Sequence, residues 1–176
     1  MSKIQIIEEV LNLRFKPENQ LILIEEDIDK MGKKFQVKYP IVKKNNIEIS
    51  LFRFDPNHEN LFPYFSDTSG LKKICDYILF AEQEQFLYVF LIELKKGRES
   101  AGKQLNATED FVNYIIKSAK RIGKKLDENI AIRLIRICDQ KIMRSKTKIQ
   151  DKSFEYVKNY CDYNLQNFYI EPLMHD

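Results

Sequence analysis

Apolar residues at Ile4, Ile7, Val10 and Leu11 recur at helical spacing behind Ser2, a good N-cap, so the pattern predicts a helix over residues 2–15, closed by the Pro17–Asn19 turn signal. Alternation then takes over. KKFQVKYPIV (33–42) and NIEISLFRFD (46–55) are rich in β-formers around a polar KKNN, which predicts a hairpin. Residues 55–70 are dense in turn formers and read as a long loop, a kind that is often functional. KKICDYILF (72–80) and FLYVFLIELKK (86–96) predict two more strands joined by the polar AEQEQ. A stripe of Leu105, Val112, Ile115, Ala119 and Ile122 predicts a helix over 101–122. NIAIRLIRIC (129–138) predicts a strand, KSFEYVKNYCDYNL (152–165) a helix and NFYIEPL (167–173) a closing strand. Helices interleaved with several strands predict an α/β domain, with a mixed sheet and helices packed on it.

Bulk properties narrow this only a little. The chain of 176 residues is 44% hydrophobic and 31% charged, with five Gly and five Pro, which predicts a single globular domain over 1–176 rather than disorder or linkers. Cys75, Cys138 and Cys161 are far apart and no CxxC occurs, which argues against zinc and for a reducing, cytoplasmic setting. No apolar run reaches membrane-spanning length and the N-terminus does not read as a signal peptide, so no membrane partner is expected. Net charge is +3. Two basic clusters, at Lys117, Lys120, Arg121, Lys124 and Lys125 and at Lys141, Arg144, Lys146 and Lys148, could meet phosphates or be solvated surface. Arg133 and Arg136, three apart on a strand, fall on opposite faces.

The chemistry concentrates at one strand end. In YVFLIELK, Tyr88, Phe90, Ile92 and Leu94 face one way and Val89, Leu91, Glu93 and Lys95 the other. Both faces are apolar until Glu93, which marks a central strand ending in a carboxylate and an ammonium on one face. A turn between Glu82 and Gln85 would bring Asp76, which interrupts the apolar run ICDYILF, opposite or near Leu91 to Glu93. Two neighbouring carboxylates repel unless a cation lies between them, and hard oxygen ligands suit Mg²⁺ or Mn²⁺. These are the parts of a phosphodiester hydrolase.

Asp76, seventeen residues on Glu93, then Lys95, resembles the D…(D/E)xK signature of the PD-(D/E)xK nuclease superfamily, over roughly residues 70–138. The resemblance implies a restriction-endonuclease-like mixed central sheet flanked by helices. It implies that Asp76, Glu93 and the carbonyl of Leu94 hold Mg (or Mn), that Lys95 acts on the attacking water, and that Gln104, early in the following helix, positions water or phosphate. A glutamate of the first helix, Glu8 or Glu9, often joins such sites. Cys75 stands where the family name has proline, and Thr108 where exonuclease-like members have tyrosine. The implied substrate is nucleic acid, DNA before RNA, with defence against phage or mobile DNA as one setting. A homodimer would supply two sites for two strands, and a defence-system protein could act as partner. The competing expectations are a catalytically inactive module of the same fold that binds nucleic acid or a partner protein, and an interaction protein that uses the basic helix.

Overall fold

The computed structural model describes residues 1–28, 32–54, 62–95, 100–126, 128–138, 160–163 and 166–174. Helix α1 runs Lys3–Val10 and is opened by a capping box, in which the Ser2 hydroxyl accepts from the Gln5 amide and the Gln5 side chain accepts from Ser2. A 3₁₀ turn follows at Leu13–Phe15. Strands β1 (Ile22–Ile28), β2 (Lys34–Val42), β3 (Glu48–Arg53), β4 (Tyr77–Gln83) and β5 (Phe86–Lys95) precede helix α2 (Gly102–Arg121), and β6 (Ile130–Cys138), β7 (Tyr160–Tyr163) and β8 (Phe168–Tyr169) follow it. No described helix is long and apolar enough to cross a membrane.

Five strands form one mixed sheet in the order β3-β4-β5-β6-β7, antiparallel from β3 to β5 and parallel from β5 to β7. β5 is the middle strand, as its two apolar faces predict. β1, β2 and β8 form a second, three-stranded sheet. The expected hairpin between residues 33–42 and 46–55 is therefore corrected: both are strands, but β2 pairs with β1 and β8, and β3 pairs with β4. The partner that displaces the hairpin is β1, whose ILIEEDI run was not predicted as a strand. The helix expected over 152–165 is corrected where the structure describes it: residues 160–163 are strand, paired with β6. Pairing in a sheet overrides the local helical pattern there.

The five-stranded sheet is covered on both faces. Leu87, Val89 and Leu91 of β5 pack with Ile78 and Phe80 of β4 against α1 and α2, through Ile7, Leu105 and Val112. Phe90, Ile92 and Leu94 face the other way, against Leu23, Tyr39 and Ile41 of the three-stranded sheet. The result is three layers: helices, large sheet, small sheet. Tyr77 ties the two sheets together, since its hydroxyl donates to the Ile24 carbonyl at 2.9 Å and accepts from the Ile24 amide at 3.0 Å. Ile122, assigned to the apolar stripe of α2, is instead exposed beyond its last turn.

Candidate active site at the end of the central strand

The β4–β5 hairpin turns at Glu84 and Gln85, with Glu84 in the left-handed region at φ 58°. Its last pair, Tyr77 with Ile92, makes Asp76 and Glu93 the next two residues to face each other. They lie on the α2 face of the sheet, as the alternation predicts. Asp76 is fixed from two sides. Its carbonyl accepts from the Phe54 amide at 3.1 Å, prolonging the β3–β4 ladder. Its Oδ2 accepts from the Leu94 amide at 2.7 Å, across the point where β4 begins. The N–H and C=O of a strand residue point to one side, so the Leu94 carbonyl is turned to the same edge as Asp76.

Glu93 is buried, with 4% of its surface exposed. Oε1 meets Lys95 Nζ at 2.7 Å, and Oε2 is buried without a hydrogen-bond partner among the described residues. Burial, and then the nearby Asp76 charge, push the Glu93 carboxyl up to about 7, while Lys95 and the Asp76 backbone pull against that rise. The Lys95 ammonium thus does not offset the burial of Glu93 and the second carboxylate, and one buried oxygen has no hydrogen-bond partner among the described residues. Among the described residues no three His, Cys, Asp or Glu side chains gather around one point. The available donors are two carboxylates and a backbone carbonyl. That set suits a hard cation that keeps several waters.

Helix α2 is pinned beside these acids. The Thr108 hydroxyl accepts from the Cys75 amide at 2.7 Å and donates to the Gln104 carbonyl at 2.7 Å. Gln104 is half-buried one turn ahead of Thr108, on the same helix face. Cys75 is fully buried, and its thiol is pushed up to about 12, first by burial and further by Glu93 and Asp76. It is an inert part of the packing.

Neither first-helix glutamate reaches the acids. Glu8 accepts from Lys16 at 2.6 Å and from Ser50 at 2.8 Å. Ser50 pairs with Phe80, four residues along β4 from Asp76, or about 13 Å away. Glu9 pairs with Lys124. Lys120 and Arg121 are exposed at the far end of α2 from Gln104, about 24 Å along the helix. The basic cluster at 141–148 lies outside the described residues. Arg133 donates to the Leu173 carbonyl at 3.2 Å, away from the acids. Sequence reasoning put Arg136 on the face opposite Arg133 but did not place it beside the acids. The parallel β5–β6 register sets it level with Glu93, and strands in register share faces, so it lies on the same face. Nothing local marks it, because the register of a parallel pair depends on the crossover between the strands.

Compared with protein-family models, with curated proteins and with solved structures, the chain has no match in any of the three.

Proposed function

We propose that the protein is a divalent-metal-dependent nuclease with a restriction-endonuclease-like core, acting on nucleic acid and on DNA before RNA. The observation that carries this reading is the buried Glu93 carboxylate, set opposite Asp76 at the end of a central strand, with Oε2 unpartnered among the described residues. Asp76, Glu93 and the Leu94 carbonyl would hold Mg²⁺ or Mn²⁺. What such a cation supplies to phosphodiester hydrolysis is Lewis acidity at a phosphoryl oxygen and a water of lowered pKa.

The chain's own groups supply the rest. Asp76 holds the Leu94 amide and so keeps the strand end rigid, with its carboxylate fixed against β5. Glu93 stores a carboxylate that is costly to ionise without a cation beside it. Lys95, seated against Glu93, can orient the attacking water or stabilise charge on the phosphoryl oxygens. Gln104, at the start of α2, positions water or the scissile phosphate, and Arg136 adds a positive charge level with Glu93. The Glu93–Lys95 contact also favours a second reading, an inert module of this fold in which the pair is structural.

Mn²⁺ calorimetry alongside plasmid and single-strand cleavage separates these readings. Glu93→Gln should lose both metal binding and cleavage, whereas Lys95→Met should keep metal binding and lose cleavage. A folded wild type that neither binds Mn²⁺ nor cuts in its presence would falsify the nuclease reading.

A further inference from the structure

Exposed apolar residues scattered singly over a surface need no explanation, but clustered ones do. Tyr64, Phe65, Leu71 and Tyr114 are all exposed, at 73%, 40%, 44% and 59%, and all four line a single cleft of about 570 Å³. The cleft lies between the residue 62–73 segment and one face of α2. Its floor is anchored. Phe62 packs edge-on against Phe111 at 5.5 Å, and Phe111 packs edge-on against Phe54 of the core at 5.7 Å. On that base Tyr64 and Phe65 lie edge to face at 4.8 Å. Lys73 completes the wall and makes no ion pair among the described residues. Asp110 also borders the cleft.

Two features tie the cleft to the acids. Lys73 precedes Asp76 by three residues, so they are at most about 10 Å apart along the chain, roughly three bases at the spacing of stacked bases. Ala107, in the cleft wall, adjoins Thr108, which holds the Cys75 amide. Aromatic faces with a nearby ammonium are the elements of a single-strand platform: rings stack on bases and the cation takes a phosphate. We infer that this cleft is a base-stacking subsite that takes unpaired nucleobases of a single-stranded stretch next to the scissile phosphate, with Tyr64 and Tyr114 as the stacking rings and Lys73 as the phosphate contact. The inference rests on the nuclease reading of the neighbouring acids.

The test is binding of a short single-stranded DNA carrying 2-aminopurine, with EDTA present so that nothing is cut. The wild type should quench the probe. Tyr64→Ala and Tyr114→Ala should each weaken binding by roughly tenfold and reduce the quench, while Tyr64→Phe keeps both. Lys73→Ala should weaken binding without removing the quench. Both tyrosines are exposed, and melting curves would verify that the variants fold. Unquenched binding that ignores both alanine substitutions would overturn the subsite and leave the rings as a surface for an apolar protein partner. No binding by the wild type would overturn it as well. Cleavage by the wild type that is unaffected by these substitutions removes the subsite and keeps the nuclease. Tyrosine-dependent quenching by a protein that neither binds Mn²⁺ nor cuts keeps the subsite and removes the nuclease.

Discussion

Glu8 and Glu93 each meet a lysine at nearly the same distance, 2.6 Å to Lys16 and 2.7 Å to Lys95, yet their carboxyls move in opposite directions. Glu8 is held below its ordinary value, first by its hydrogen bond to Lys16 and also by the Ser50 hydroxyl. Glu93 is raised to about 7, first by burial and then by Asp76. The ion pair is the same. What differs is its surroundings: Glu8 is partly open to water, whereas Glu93 is buried and stands opposite a second carboxylate, Asp76. A lysine within reach does not make a settled ion pair. Where desolvation and a second anion outweigh it, the carboxyl stays harder to ionise than in water.

That contrast can be broken most forcefully by removing each lysine. Lys95→Met leaves Glu93 buried beside Asp76 with no ammonium, and should cost about 3 kcal/mol near pH 8 and lower any cleavage rate by about 10²–10⁴. Lys16→Met should cost about 0.5 kcal/mol and leave cleavage unchanged. Urea unfolding and plasmid nicking read both effects, and equal costs at the two sites would sink the comparison.

Acidity is the next lever. The folded carboxyl of Glu93 titrates above its unfolded value, so between about 4.5 and 7 the folded protein binds a proton that the unfolded chain has released. Its contribution favours folding at low pH and turns unfavourable as pH rises through 7. Stability should therefore increase from pH 8 to pH 5.5 by on the order of 1–3 kcal/mol relative to Glu93→Gln, which lacks the slope. Glu8 acts in the opposite sense: its lowered carboxyl contributes stability above its unfolded value, and that contribution fades on further acidification. A wild type and Glu93→Gln with parallel stability–pH curves would show that Glu93 is not perturbed.

Metal addition sharpens the same difference. Mn²⁺ competes with the proton for Glu93, so millimolar Mn²⁺ should raise the melting temperature at pH 8 and have little effect at pH 5.5, and EDTA should reverse the rise. Glu8→Gln should leave that response intact. The smallest expected effect on metal affinity from a residue packed beside the acids is at Thr108. Replacing it with Val leaves the buried Cys75 amide without its acceptor, at about 1–2 kcal/mol, and loosens α2 beside Asp76 without removing a site charge. Unfolding should then report the loss while Mn²⁺ affinity changes less than twofold, and a larger fall in affinity would make Thr108 part of the site.

The local pattern of the chain carried much of this. Period-two alternation in YVFLIELK identified a central strand and placed Glu93 and Lys95 on one face, and the AEQEQ turn brought Asp76 opposite them. The stripe of α2 and the Ser2 cap of α1 were equally legible, because such signals act between residues close in sequence. Tertiary structure decided the rest. Which strand β2 and β3 would pair with depended on β1 and β4, not on the four polar residues between them. Residues 160–163 have a helical neighbourhood in sequence and an open edge of β6 in space, and the edge prevails. Arg136 reaches the level of Glu93 only through a crossover of some thirty residues, and Glu8 is turned from the acids to Ser50 by the way α1 docks. The same docking of layers removes Glu93 from water, so it is the packing around the carboxylate, not its place in the motif, that sets its charge.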